Sequence, residues 1–154
     1  CWEGGVHVDS GCSKEIEPAS AVSAYLAKIK YALEHGATVN FQRSRLVDEN
    51  RDIRFTNDYT IQELFPDEVP TDALKRELLT LKVSDYMGTV KDIRYPKRGA
   101  MYEFGKVYRQ SDEVYIKVRV KLADLDGGGA HTAFVMSFHF AEKPFSQCYF
   151  PYKN

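Results

Sequence analysis

The sequence predicts an α+β protein, with N-terminal helices packed on one face of a C-terminal antiparallel sheet of three strands or slightly more. Two runs near the C-terminal end carry most of this. In Glu113–Lys121, Val114, Ile116, Val118 and Val120 share one parity while Tyr115, Lys117 and Arg119 share the other, the period of a strand buried on one side. In His131–Phe140, Phe134, Met136, Phe138 and Phe140 alternate with Val135, Ser137 and His139, so the two runs paired as a hairpin would set one aromatic face on a core. Earlier in the chain the period changes to that of helices. With 154 residues, 44% of them hydrophobic and 13% aromatic, there is enough apolar material for a core without staples.

The first 17 residues are expected as a flexible arm, because Gly4, Gly5, Ser10 and Gly11 interrupt them and no period emerges. Residues 18–154 are expected as one domain, with no repeat, linker or low-complexity tract to divide them. Within them, Pro18 to His35 reads as a helix from the spacing of Val22, Tyr25, Leu26, Ile29 and Leu33, with Pro18 at its start and Gly36 past its end. Thr38 to Arg54 has no clear period and is expected as loop with a short strand. Its Arg43, Arg45, Arg51 and Arg54 have Asp48, Glu49 and Asp52 nearby as ion-pair partners. Thr60-Ile-Gln-Glu63 has the form of a capping box that opens a short helix stopped by Pro66. Thr71-Asp72 caps the last helix, Ala73 to Leu81, whose Leu74, Leu78 and Leu81 form one stripe. Thr89 to Gly99, rich in Lys, Arg, Asp and Pro, reads as an exposed loop feeding the strand Met101–Arg109. There Tyr102 and Phe104 would face the core and Glu103 the opposite side. Asp126-Gly127-Gly128-Gly129 supplies residues that tolerate positive φ, as the last hairpin reversal requires.

Cys1, Cys12 and Cys148 are odd in number and widely spaced, which predicts neither a disulfide framework nor a zinc site and favours a reducing, cytoplasmic setting. His7, His35 and His131 are scattered without ligand spacing, so no metal or other cofactor is expected. No apolar run approaches the roughly 20 residues of a membrane span, and no membrane partner is expected. The net charge of −1 hides an asymmetry. From Lys91 to Lys121 there are nine basic residues against four acidic ones, so this stretch is +5 and the rest of the chain −6, a distribution that suits a phosphate chain or simply a solvated face.

One sheet face would therefore gather Glu103, Tyr115, Lys117, Arg119 and His139. Cleaving RNA without a metal needs a base for the 2′-hydroxyl proton, an acid for the leaving 5′-oxygen and cations around the transition state. Glu103 is the candidate base and His139 the candidate acid, since an imidazole exchanges protons near neutral pH. Lys91, Arg98, Lys117 and Arg119 are candidates for holding phosphate, and Tyr115 for stacking on a base or donating to a phosphate oxygen. The plainer reading is that any antiparallel sheet puts polar residues on its open face.

The ordered motifs Leu79-Thr-Leu-Lys-Val-Ser-Asp-Tyr86, Met101-Tyr-Glu-Phe104, Val114-Tyr-Ile-Lys117 and Val135-Met-Ser-Phe-His139 resemble the MqsR family of type II toxins, over about Ser20 to Phe140. The resemblance implies a RelE-like fold, a metal-independent mRNA interferase and a cognate antitoxin as partner. By position it implies that Lys91 stands for the family's loop lysine, and it puts functional residues at Glu103, Tyr115, Lys117 and His139. It departs at Glu103 and His139, where the founding member has an amide and a lysine; a Glu and His pair is the acid–base arrangement of RelE-type relatives. The competing expectations are a non-catalytic RNA- or protein-binding module on the same scaffold and a delivered effector toxin domain.

Overall fold

A computed structural model describes residues 12–44, 52–95, 97–123 and 130–153. Among them the chain runs β1 (Cys12–Glu15), α1 (Ala19–Glu34), β2 (Thr38–Phe41), α2 (Asn57–Leu64), α3 (Pro70–Leu78), β3 (Tyr86–Asp92), β4 (Met101–Tyr108), β5 (Asp112–Lys121) and β6 (Thr132–Phe140), with short 3-10 turns at Ile53–Phe55, Val83–Asp85 and Phe145–Gln147. The class is α+β, as expected, but the sheet has six strands in the order β1-β3-β4-β5-β6-β2, all antiparallel except β2 beside β6. Strands β1 and β2 interleave with the helices, so the helices do not form a separate N-terminal block. Part of the expected arm, Cys12–Glu15, is an edge strand on β3. The expected glycine turn at 126–129 and the arginines 45 and 51 lie outside the described residues.

The helices supply one side of the core. Val22, Ile29 and Leu33 of α1 and Leu74 and Leu78 of α3 pack with Phe104, Val114, Ile116, Val118, Val120 and Phe138 of the sheet. Each such side chain, fully buried, contributes about 1.5–3 kcal/mol. Helix α1 keeps its expected limits: Pro18 is the N-cap, and Gly36 at φ +81° follows the last turn, where a residue without Cβ is favoured. Tyr25 of α1 stacks on Tyr102 with ring centroids 3.7 Å apart, and its hydroxyl accepts the Val120 N–H at 2.9 Å.

Three local expectations need correction. Thr60 does not open a helix: α2 starts at Asn57 under the cap of Thr56, whose Oγ1 accepts the Tyr59 N–H, and Thr60 sits a turn further in with its hydroxyl on the Thr56 carbonyl. Helix α3 starts at Pro70 rather than Ala73, with proline in the first turn where its missing N–H costs nothing. The tract expected as a loop from Thr89 to Gly99 begins inside strand β3, to which Thr89–Asp92 belong and whose Tyr86–Val90 are buried between β1 and β4, while the described residues from Ile93 on lie outside any strand until Met101. A register shift between Tyr86 and Gly88 breaks the alternation there, so the period that marks a strand is lost from the sequence.

A second register shift matters more. Ile116 faces Phe138 and Lys117 faces Ser137, but Val118 then faces Val135, so β6 has one residue more than β5 at this point. Beyond it the parity of β6 inverts, and Val135 and Ala133 enter the core while Phe134 and Met136 turn to the other face. The expected single aromatic face is therefore split. Asn57 holds the irregularity in place: its Nδ2 donates to the carbonyls of Met136 (2.9 Å) and Gln42 (2.7 Å), and its Oδ1 accepts the Phe138 N–H at 2.9 Å. Thr60 Oγ1 accepts the Phe140 N–H at 2.8 Å. Strand β2 ends at Phe41, and α2 thus satisfies the edge of β6 that β2 no longer covers.

The hairpin from β4 to β5 turns through Arg109 and Gln110 at φ +50° and +75°, a left-handed pair that no glycine relieves. Replacing Gln110, which is exposed, with Gly is expected to raise stability by about 0.5–1 kcal/mol, read as an increase in urea midpoint at unchanged m.

Candidate functional site

Opposite the helix layer, the pairings Glu103 with Lys117, Gly105 with Tyr115, Tyr115 with His139 and Lys117 with Ser137 set these side chains on one face of the sheet. The shared face expected from parity is what the strands produce, upstream of the register shift. The Tyr115 hydroxyl donates to Glu103 Oε2, and the Tyr115 ring lies 5.4 Å from the His139 imidazole. His139 Nδ1 is 2.9 Å from the Phe140 carbonyl, which can only accept, so Nδ1 carries a hydrogen and donates it there.

This face is not open. Glu103, Tyr115, Lys117 and His139 are only 2%, 1%, 1% and 4% exposed, and Ser137 is fully buried. Two segments cover them. After β6 the chain crosses back over the sheet, anchored by the Ala141 N–H on the Glu113 carbonyl (2.8 Å) and the Phe145 N–H on Glu113 Oε1 (3.1 Å). Phe145 and Phe150 then lie so close to Gly105 that a Cβ there would come within 2.8 Å of both rings. From the other side, Lys14 of β1 runs across Gly88, where a Cβ would be 2.5 Å from Lys14 Cε. Its Nζ reaches 2.9 Å from Glu103 Oε1, in ion-pair contact though off the line of a directed hydrogen bond. Burying a carboxylate is costly unless it is paired, and Lys14 and Tyr115 together supply the pairing.

Lys14 is the residue that sequence reasoning missed. It lies in the tract read as an arm, and only the β1–β3 register, with Lys14 opposite Val90, brings it to Glu103. Lys91, expected to serve this site, falls on the opposite parity of β3 and pairs with Glu15 at 3.5 Å in an exposed contact. The basic stretch as a whole is divided in the same way. Arg94 is held by Asp92 and Arg109 by Asp112, exposed pairs of the kind worth at most about 1 kcal/mol, so these charges form no continuous strip.

Arg98, Lys117 and Arg119 do come together. With Gly99, Val90, Met101, Met136 and Asp92 they line a cleft of about 100 Å³ of free volume, which is thus contiguous with the Glu103 cluster through Lys117. The Arg119 guanidinium stacks over Phe134 at 5.1 Å and that of Arg98 over Tyr95 at 4.2 Å, contacts that fix planar cations at the rim. On the far side of the cluster a much tighter gap is lined by Met87, Tyr115, His139, Glu142, Lys143 and Cys148. Burial pushes the Cys148 thiol up from its ordinary range, so at neutral pH it is protonated and a poor nucleophile. Among the described residues no helix is long and apolar enough to cross a membrane.

The fold and the cluster define an α+β protein with a six-stranded mixed sheet, helices on one side and a covered acid, imidazole and lysine group on the other. No family model, curated protein or solved structure matches the chain.

Proposed function

We propose that the protein is a metal-independent endoribonuclease of the toxin type, resembling the MqsR and RelE-like mRNA interferases and held silent by an antitoxin with an acidic segment. The observation that carries the reading is the convergence of Glu103, Tyr115 and His139 beside Lys117, the one member of the group that also lines the cleft with Arg98 and Arg119. Glu103 takes the 2′-hydroxyl proton, the 2′-oxygen attacks phosphorus, and His139 gives a proton to the departing 5′-oxygen. Lys117 and Arg119 meet the charge that grows on the non-bridging oxygens, and Tyr115 holds the carboxylate in position. Lys14 sets the same carboxylate from the opposite side.

The burial of all four central side chains favours a second reading, in which the cluster is structural and the cationic cleft grips RNA without cutting it. One experiment separates the two. RNA incubated with the protein in excess chelator is expected to yield fragments ending in 2′,3′-cyclic phosphate and 5′-hydroxyl, because attack by the 2′-oxygen leaves the cyclic ester behind. Binding without cleavage would establish the second reading, and 5′-phosphate ends would rule out the proposed chemistry.

A further inference from the structure

The cleft beside Lys117 has two kinds of wall. Val90, Met101 and Met136 make it apolar, while Arg98, Lys117 and Arg119 give it positive charge and Asp92 contributes an acidic group. A site for phosphate alone has no use for two methionines and a valine, and a purely apolar pocket would not be rimmed by guanidinium groups. We propose that this cleft is a subsite for one unpaired nucleotide, with the base against Met101, Met136 and Val90 and its phosphate on Arg98 and Arg119. It rests on the reading of RNA as the substrate and narrows that substrate to single-stranded RNA.

Size limits the occupant. An enclosed apolar cavity of about 150 Å³ holds a benzene ring; the roughly 100 Å³ here is open on one side, so a single splayed base can seat only one edge in it and a base pair has no room. Polarisable thioethers pack well on aromatic faces. Asp92 is engaged by the Arg94 guanidinium at 3.1 Å, and its negative charge keeps a phosphate away from its side of the cleft, so the anion goes to Arg98 and Arg119. The register shift in β6 is what creates the floor, since with unbroken alternation Met136 would have faced the helices. A duplex keeps its bases stacked and paired and offers none to such a cleft.

The chain has three methionines, which makes the test direct. Met101 and Met136 line this cleft, and Met87 lines the tight gap on the other side of Tyr115. With 13C-methyl methionine in the full chain, guanosine 3′-monophosphate or uridine 3′-monophosphate is expected to shift the Met101 and Met136 methyl signals saturably and leave Met87 in place. Inorganic phosphate should not reproduce those shifts. In Arg98→Ala, whose side chain is exposed and whose loss should not affect folding, the nucleotide should bind about tenfold more weakly. Unmoved Met101 and Met136 signals, the same shifts with phosphate alone, or undiminished affinity in Arg98→Ala would each overturn the proposal. These are binding measurements. Saturable shifts in a protein that fails to cut RNA would leave the subsite standing and remove the nuclease, whereas cleavage without the shifts would do the reverse.

Discussion

Replacing Glu103 with Gln, or His139 with Ala, is expected to lower RNA cleavage by about 10²–10⁴ while RNA binding stays nearly intact, since neither side chain is a main phosphate ligand. Gln is chosen at 103 because its amide oxygen can still accept from the Tyr115 hydroxyl that now meets Glu103 Oε2, so the local packing survives and only the base is lost. Lys14 is then left without its carboxylate, but its side chain is 30% exposed and water can take up its charge. The stability cost should therefore be modest, about 1–2 kcal/mol. The effect at His139 has a different origin, because the ring that donates from Nδ1 to Phe140 would no longer be present to protonate the leaving oxygen. Single-turnover cleavage of a short RNA, with binding measured on a 2′-O-methyl analogue, separates rate from affinity. Full activity in either folded variant would show that the cluster is structural.

The largest effect on the fold is expected at Asn57. Asn57→Ala would remove the donor to Met136 and Gln42 and the acceptor for Phe138 together, leaving the buried Phe138 N–H and two part-buried carbonyls without this partner. An unsatisfied buried group costs about 1–3 kcal/mol, and the expected total for the set is about 3–5 kcal/mol. Because these bonds hold the register shift of β6, the loss should also disturb the placement of Met136 and Ser137, next to the candidate site. Urea unfolding of Asn57→Ala measures the first consequence, and the Met136 methyl signal reports the second. A variant within 1 kcal/mol of wild type would mean that another group takes over these partners.

Alternation alone placed Glu103, Tyr115, Lys117 and His139 on one face, and the structure keeps them there. Period 2 is a local property of an extended backbone, so it can be read wherever no irregularity intervenes. The helical spacing of α1, with Pro18 before it and Gly36 after it, is local in the same sense. What lay beyond the sequence was set by pairing between distant segments. The register shift in β6 depends on β5 across the hairpin and on Asn57 some 79 residues away, and it moved Phe134 and Met136 out of the core. Strand β1 looks like an arm because four residues bounded by breakers carry no period, and its identity comes from hydrogen bonding to β3. The burial of the polar face was equally hidden. Nothing in Glu103 or Gly105 says that Lys14 will reach the one and that Phe145 and Phe150 will lie against the other; that follows from where β1 and the segment after β6 pack, and it turns an expected open face into a closed cluster with a cationic cleft beside it.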